Sequence, residues 1–238
     1  MTILRSLFHH VATRATPRWL AVVFVLTGSL WLFIELADEV NEQERMHEID
    51  RRVLSAMREP GRPTDPWGPP WLEEVARDIT GLGGITIVTL ATLATVSYLA
   101  ALRRSRDALV VLIAAGSGAL FCWLLKLGFD RPRPDVVSRL SAVYSASFPS
   151  GHAMMSTVVY LTLGGLLARE ESRNNGRFTV LAWVVFVCAL VGMSRVYLGV
   201  HWPSDVLAGW AVGAFWALLC WSIAEWLDRR GVTDRPSR

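Results

Sequence analysis

The chain has 238 residues, of which 52% are hydrophobic and 19% are charged, and its formal net charge is only +3. With a mean hydropathy of +0.34, this composition excludes an ordinary soluble domain and indicates a polytopic membrane protein. The arginines are dispersed in short loops and form no single basic face, so nucleic acid is not expected as a partner.

Six apolar stretches follow one another along the chain and are long enough, or nearly so, to cross a bilayer. A bilayer of about 30 Å requires roughly 20 helical residues. The stretches cover residues 19–37, 82–101, 108–127, 153–168, 179–197 and 204–227. The fourth is short and is expected to begin earlier, at residues 150–152. We therefore predict an all-α fold with six transmembrane helices, as a single domain over residues 1–238.

The first stretch is expected to remain as an anchor helix. It is longer than the apolar part of a signal peptide, and no small-x-small cleavage site follows it. The connections richest in arginine are the N-terminal segment, the second and fourth connections, and the tail over residues 228–238. With six spans all four lie on one side of the membrane, which the positive-inside rule assigns to the cytoplasm. The opposite helix ends then face outside.

The first outer connection, residues 38–81, contains two amphipathic patterns separated by the proline-rich segment 60–70. The apolar stripes are Met46, Ile49, Val53, Leu54 and Met57, then Trp71, Leu72, Val75 and Ile79. Such stripes predict two helices on the outer leaflet, as a lid over the functional site or as a surface clamp. Trp19, Trp202 and Trp226, near span ends, are expected to be interfacial anchors.

Three polar motifs interrupt this apolar sequence, each at an end of a predicted span on the outer side. The first is Lys126-Leu-Gly-Phe-Asp-Arg131-Pro-Arg133-Pro134, the second is Pro149-Ser150-Gly151-His152, and the third combines Ser194-Arg195 with His201 and Asp205. Cations that can hold an anion, two imidazoles and a carboxylate together indicate phosphoryl chemistry at a membrane surface. The predicted active site therefore lies at the outer ends of the helices.

His201 and Asp205 are four residues apart at the start of the sixth span, which puts both on one helix face. A carboxylate that accepts a hydrogen bond from Nδ1–H would fix the tautomer and leave Nε2 free as a nucleophile. The alternative is a His/Asp pair that only caps the helix.

Ser150, Gly151 and His152 precede or begin a helix, whose free N–H groups and positive dipole end can bind phosphate. Gly151 lets the backbone approach the anion closely, and Ser150 can cap the helix and donate. His152 could then protonate a leaving oxygen as a general acid. The alternative is a simple turn and cap.

Lys126, Arg133 and Arg195 supply cations for phosphoryl oxygens; the alternative for each is a snorkelling anchor. Arg131 and Arg139 are expected only to shape or line the entrance. The carboxylates near the motifs are Asp130, Asp135 and Asp205, a poor set of ligands for Mg²⁺. We therefore predict neither a metal nor another cofactor.

Together the motifs resemble those of the type 2 phosphatidic acid phosphatase superfamily, whose pattern is Lys-x6-Arg-Pro, Pro-Ser-Gly-His and Ser-Arg-x5-His-x3-Asp. Every signature residue is present, over roughly residues 120–210. The resemblance implies a two-step, metal-independent mechanism. His201 would attack phosphorus and form a phosphohistidine, supported by Asp205, and His152 would protonate the leaving group and then activate water. The phosphoryl oxygens would be held by Lys126, Arg133, Ser150, Gly151 and Arg195.

These features lead to the hypothesis of a lipid phosphatase in the bacterial inner membrane, with both termini cytoplasmic. Undecaprenyl pyrophosphate is the leading substrate hypothesis, and phosphatidylglycerophosphate and phosphatidic acid are alternatives. A vanadate-dependent haloperoxidase would share the pocket, but those enzymes are soluble. A non-catalytic protein that binds or transports lipid phosphates is the remaining hypothesis. The sequence defines no oligomeric state.

Overall fold

The computed structural model describes residues 17–42, 45–140 and 145–230. Arg5 and Arg14 of the N-terminal segment and residues 231–238 of the predicted tail therefore lie outside the described residues. The described ranges contain eight helices and one short hairpin. The helices are α1 (Pro17–Glu42), α2 (Arg45–Ala56), α3 (Pro70–Gly81), α4 (Ile85–Ala101), α5 (Ser105–Gly128), α6 (Gly151–Glu170), α7 (Asn174–Tyr197) and α8 (Pro203–Arg229), and the hairpin is β1 (Arg58–Glu59) with β2 (Arg62–Pro66).

Five of these helices, α1 and α5 to α8, are long and apolar enough to cross a membrane. The pair α3 and α4 makes a sixth span if the two are taken together, with a bend of 43° at the break between them. Helix α4 alone has 17 residues and is about 25 Å long. The prediction of an all-α membrane protein is confirmed, and α6 begins at Gly151, within the segment expected.

Helix α6 lies at the centre of the bundle and packs against α4, α5, α7 and α8. Its approach to α8 is close because glycines of α8 face it. A Cβ on Gly209 would lie 2.7 Å from the carbonyl oxygen of Ser150, and one on Gly213 would lie 2.7 Å from that of Met154. Small residues let membrane helices pack this tightly. The first turns of α6 and α8 are therefore adjacent, and the Ser150 amide donates to the Asp205 carbonyl oxygen at 2.9 Å.

The two ends of the bundle differ in chemistry. The C-terminal ends of α5 and α7 and the N-terminal ends of α6 and α8 carry the three polar motifs. At the other end, Arg104 forms surface ion pairs with Asp107 and Glu170, both at 2.8 Å. The helix order thus gathers the motif residues at one end.

The amphipathic patterns of the first connection correspond to α2 and α3, and the hairpin between them was not predicted. Its tight turn contains Gly61, with φ of 77°, after a proline that had suggested only a break. Helix α2 packs against the start of α8 through Leu54, which is fully buried. The lid interpretation stays a prediction.

Trp202 belongs to the same cluster as Leu54 and is only 3% exposed. Its Nε1 donates to the carbonyl oxygen of Pro132 at 3.0 Å. The prediction that Trp202 is an interfacial anchor is therefore wrong, because the indole is buried inside the protein, beside Leu54 and Pro132.

Candidate active site

His201 and Asp205 are buried at the entry to α8, 2% and 0% exposed. His201 Nδ1 is 3.3 Å from Asp205 Oδ2, and Arg133 Nη1 is 3.1 Å from His201 Nε2. A guanidinium can only donate, so Nε2 accepts and Nδ1 carries the proton. The contacts therefore select the tautomer that has a lone pair on Nε2.

The Asp205 carboxylate also accepts two further hydrogen bonds. The Trp202 amide donates to Oδ2 at 2.9 Å, and Arg131 Nη1 donates to Oδ1 at 2.5 Å. The first of these is a helix-capping contact at the start of α8. Asp205 thus caps the helix and also contacts His201.

Burial is the largest influence on His201, and it lowers the pKa of the imidazole to about 4. The hydrogen bond and the charge of Asp205 raise this pKa, and the nearby Arg133 and Arg195 lower it further. His201 is therefore neutral at neutral pH, which is the form that can act as a nucleophile.

The start of α6 lies beside Lys126. Ser150 is fully buried and caps the helix, with its Oγ 3.5 Å from the Ala153 amide. A Cβ on Gly151 would make only ordinary contacts, at 3.6 Å from both Lys126 Cε and Cys122 Sγ. Packing against the protein therefore does not require glycine at position 151, and the open helix end can approach an anion.

His152 follows in the first turn of α6 and contacts the break between α3 and α4. A Cβ on Gly83 would lie 3.0 Å from the His152 carbonyl oxygen, and one on Gly84 would lie 3.8 Å from His152 Nε2. The glycines of the break thus let the chain pass closely beside this imidazole.

The three predicted cations converge on the same region, within electrostatic range of His152. Lys126 Nζ donates to the Ala146 carbonyl oxygen at 2.7 Å, and Arg133 Nη1 donates to that of Val200 at 2.6 Å. Arg195 is 3% exposed and its Nη1 donates to Thr80 Oγ1 at 3.0 Å. Within the described part of the chain its Nε has no partner, so Arg195 retains a donor for an anion.

Sequence reasoning underestimated Arg131 and missed Asp50. Arg131 lines the cavity beside the site, as expected. Its side chain is nevertheless only 2% exposed and its guanidinium lies between two carboxylates, Asp205 and Asp50, so its role goes beyond shaping or lining the entrance. Asp50 occupies the apolar stripe of α2, three residues before Val53 and four before Leu54. A carboxylate at that position was the available signal. Arg139 Nε donates to the Pro134 carbonyl oxygen of its own loop at 3.0 Å.

A polar cavity of about 760 Å³ opens beside the site. Arg133 lines this cavity and also contacts His201, so its guanidinium stands between the two. The remaining lining residues are Val40, His47, Glu48, Arg51, Phe129, Asp130, Arg131, Pro132, Asp135 and Trp202.

No group of three or more His, Cys, Asp or Glu side chains within residues 17–42, 45–140 and 145–230 could hold a metal ion. The chemistry that the residues themselves offer is a neutral imidazole with a free lone pair, a second imidazole, and three cations beside a helix N-terminus. This set suits an anionic substrate that transfers a phosphoryl group.

Residues 107–229 match the model of the PAP2 superfamily. Phosphatidylglycerophosphatase B of Bacillus subtilis is 36% identical over 147 residues, which is 60% of this chain and 71% of that protein. The undecaprenyl-diphosphatase of Sulfolobus acidocaldarius is 39% identical over 75 residues, 31% of each protein. A crystal structure of a transmembrane PAP2-type phosphatidylglycerolphosphate phosphatase from Bacillus subtilis superposes with a TM-score of 0.78 at 28% identity. It covers 87% of this chain and 98% of that chain.

Proposed function

The chain belongs to the PAP2 superfamily of membrane lipid phosphatases, and we propose that it removes phosphate from a lipid at the outer leaflet through a phosphohistidine. The observation that carries the proposal is the state of His201. His201 Nε2 has a lone pair and is in contact with Arg133 Nη1. His201 Nδ1–H points to the buried carboxylate of Asp205.

In the first step, a phosphoryl oxygen of the substrate replaces His201 Nε2 as the acceptor of the hydrogen bond from Arg133 Nη1. Nε2 then attacks phosphorus, and the bond from phosphorus to the leaving oxygen breaks. His152, protonated, gives its proton to that oxygen. The His201 ring gains positive charge, which the Asp205 carboxylate stabilises through Nδ1–H.

In the second step, His152 removes a proton from water and the water oxygen attacks phosphorus. The P–N bond breaks, Nε2 recovers its lone pair, and inorganic phosphate leaves. Throughout, Lys126, Arg133 and Arg195 balance the charge on the phosphoryl oxygens, together with the amides at the start of α6. No step requires a metal ion.

We put phosphatidylglycerophosphate first among the substrates. Phosphatidylglycerophosphatase B of Bacillus subtilis shares 36% identity with the chain over 147 residues, and the structural similarity extends over 87% of the chain. Undecaprenyl pyrophosphate, the leading hypothesis from the sequence, comes second and is supported by the shorter match to an undecaprenyl-diphosphatase. Phosphatidic acid remains a third substrate to test.

Loop arginines support an orientation in which the motif end of the bundle faces outside a bacterial inner membrane. A lipid whose phosphate lies at headgroup level can reach this end without leaving the bilayer. The single domain over residues 1–238 and the cytoplasmic termini belong to the same proposal.

The test is phosphate release by purified, detergent-solubilised protein in EDTA. The three lipids are supplied separately, and His201→Ala is assayed in parallel. Release by the native protein and none by the variant is expected, and the relative rates rank the substrates. Release that requires added Mg²⁺ contradicts the metal-independent mechanism. Release that survives in His201→Ala contradicts the phosphohistidine, and binding of lipid phosphate without any release favours a binding or transport protein.

A further inference from the structure

Asp50 connects the first outer connection to the catalytic histidine through buried contacts. Its Oδ2 accepts from Arg131 Nη2 at 2.8 Å and from Ser204 Oγ at 2.5 Å, and its Oδ1 accepts from the Ser204 amide at 2.9 Å. The Asp50 side chain is 1% exposed. Every one of these contacts reaches the first motif or the first turn of α8.

Arg131 continues the chain of contacts toward His201. Its Nη1 donates to Asp205 Oδ1 at 2.5 Å and to Ser204 Oγ at 2.8 Å. Asp205 in turn contacts His201 through its other oxygen. The order is therefore Asp50, Arg131, Asp205 and His201, and every side chain in it is at most 2% exposed.

We propose that Asp50 is a positioning residue for His201, acting through Arg131 and Asp205; this inference rests on the proposed function. Within the described residues, the hydrogen bonds of Asp50 come from Arg131 and Ser204, neither of which is assigned to the phosphate. It compensates the charge of Arg131 and fixes the guanidinium, so that Asp205 keeps its own charge available to the imidazole.

The charges explain why this compensation matters. Arg131 attracts the same Asp205 carboxylate that must stabilise a positively charged His201 ring during attack. Without a second carboxylate, the Arg131 charge would weaken the stabilisation of the His201 ring by Asp205. In a buried site the effect of that charge is poorly screened. A second carboxylate on the far side of Arg131 offsets its charge. Asp50 also accepts a hydrogen bond from the backbone amide of Ser204, the second residue of α8. A negative charge there interacts favourably with the helix dipole.

The experiment compares Asp50→Asn with Glu59→Gln, which removes an exposed carboxylate of the same outer connection that pairs only weakly with Arg62, at 3.6 Å. In Asp50→Asn we expect kcat to fall about 10- to 100-fold, as when a partner that orients a functional histidine is lost. KM should stay within about threefold, because the interactions with phosphate are unchanged. Glu59→Gln should behave as the native protein.

A second variant separates positioning from a structural role. Adding Arg131→Met to Asp50→Asn removes the competing charge, so kcat should recover by about tenfold or more relative to Asp50→Asn alone. A purely structural role predicts a further loss. Native kcat in Asp50→Asn, or no recovery in the double variant, overturns the proposal.

Folding is checked by thermal unfolding and size-exclusion chromatography. If Asp50→Asn does not fold, the double variant decides: kcat within about a hundredfold of native supports compensation, and kcat as low as that of His201→Ala overturns it. Failure of both variants to fold assigns Asp50 to folding alone and also overturns the proposal. The proposed function fails separately, if His201→Ala itself remains active.

Discussion

Replacing Asp205 with asparagine tests how far the orientation of His201 depends on one carboxylate. An amide has one acceptor oxygen, whereas Asp205 accepts from His201 and Trp202 on Oδ2 and from Arg131 on Oδ1. With its NH2 toward Arg131, the amide leaves one N–H of the buried guanidinium without its acceptor, which costs about 1.5–3 kcal/mol, although Arg131 keeps its bonds to Ser204 and Asp50. With its NH2 toward His201, it favours the tautomer whose Nε2 carries the proton.

The second orientation removes the Nε2 lone pair with which His201 is proposed to attack phosphorus. The same substitution in the Ser-His-Asp triad of a serine protease lowers kcat about 10⁴-fold, equivalent to about 5.4 kcal/mol in the barrier. We therefore expect kcat of Asp205→Asn to fall about 10³- to 10⁴-fold. KM should change little, because Asp205 holds no phosphoryl oxygen.

The assay is initial-rate phosphate release across substrate concentration, with unfolding temperature as the control for integrity. Rapid quench would add the rate at which an acid-labile phosphoenzyme forms. A folded Asp205→Asn protein with kcat within tenfold of native would refute the reasoning, because orientation by Asp205 would then contribute less than about 1.4 kcal/mol.

Three further predictions concern the helix ends and the pH profile. Gly151→Ala should fold normally but lower kcat/KM by about tenfold or more, because a methyl group at the start of α6 obstructs close approach of phosphate to the backbone; equal kcat/KM would contradict this. Gly213→Ala, with a Cβ 2.7 Å from the Met154 carbonyl oxygen, should lower the unfolding free energy by about 1–3 kcal/mol. Gly116→Ala is the control, because an added Cβ there has no atom within 4 Å, and it should leave the unfolding free energy unchanged or higher. The kcat/KM profile should be bell-shaped, with its acid limb below pH 6.5, because attack is lost only as pH falls through the His201 pKa of about 4; an acid limb centred at 6.5 or above would contradict it.

The fold was largely predictable because membrane helices are defined by long apolar runs, which a hydropathy pattern detects directly. The bend at residues 82–84 was harder to predict, since its cause is local packing: the glycines there fit against His152 and Val191. The hairpin was missed for a similar reason. Its strands have two and five residues, too short for any periodicity.

The polar residues that meet at the helix ends could be predicted from the motifs, because each motif lies at the end of a span on one side. The supporting contacts could not. Nothing in the spacing of Asp50 and Arg131, 81 residues apart, indicates that they meet. Gly209 and Gly213 did carry a signal, since a pair of glycines four residues apart in an apolar helix indicates close helix packing.

The buried contacts of Asp50 also constrain how the protein assembles in the membrane. Asp50 is synthesised well before Arg131 and Ser204, the two residues that satisfy its carboxylate. Arg131 becomes available once the loop after α5 is made, but the amide and hydroxyl of Ser204 come only with α8, so the Asp50 carboxylate has all of these partners only after α8 is in place. The final docking of α2 and the completion of the candidate active site therefore both depend on α8, the last helix of the described chain. A chain interrupted before Pro203 would therefore leave α2 without the α8 residues against which Leu54 packs and to which Asp50 is bonded.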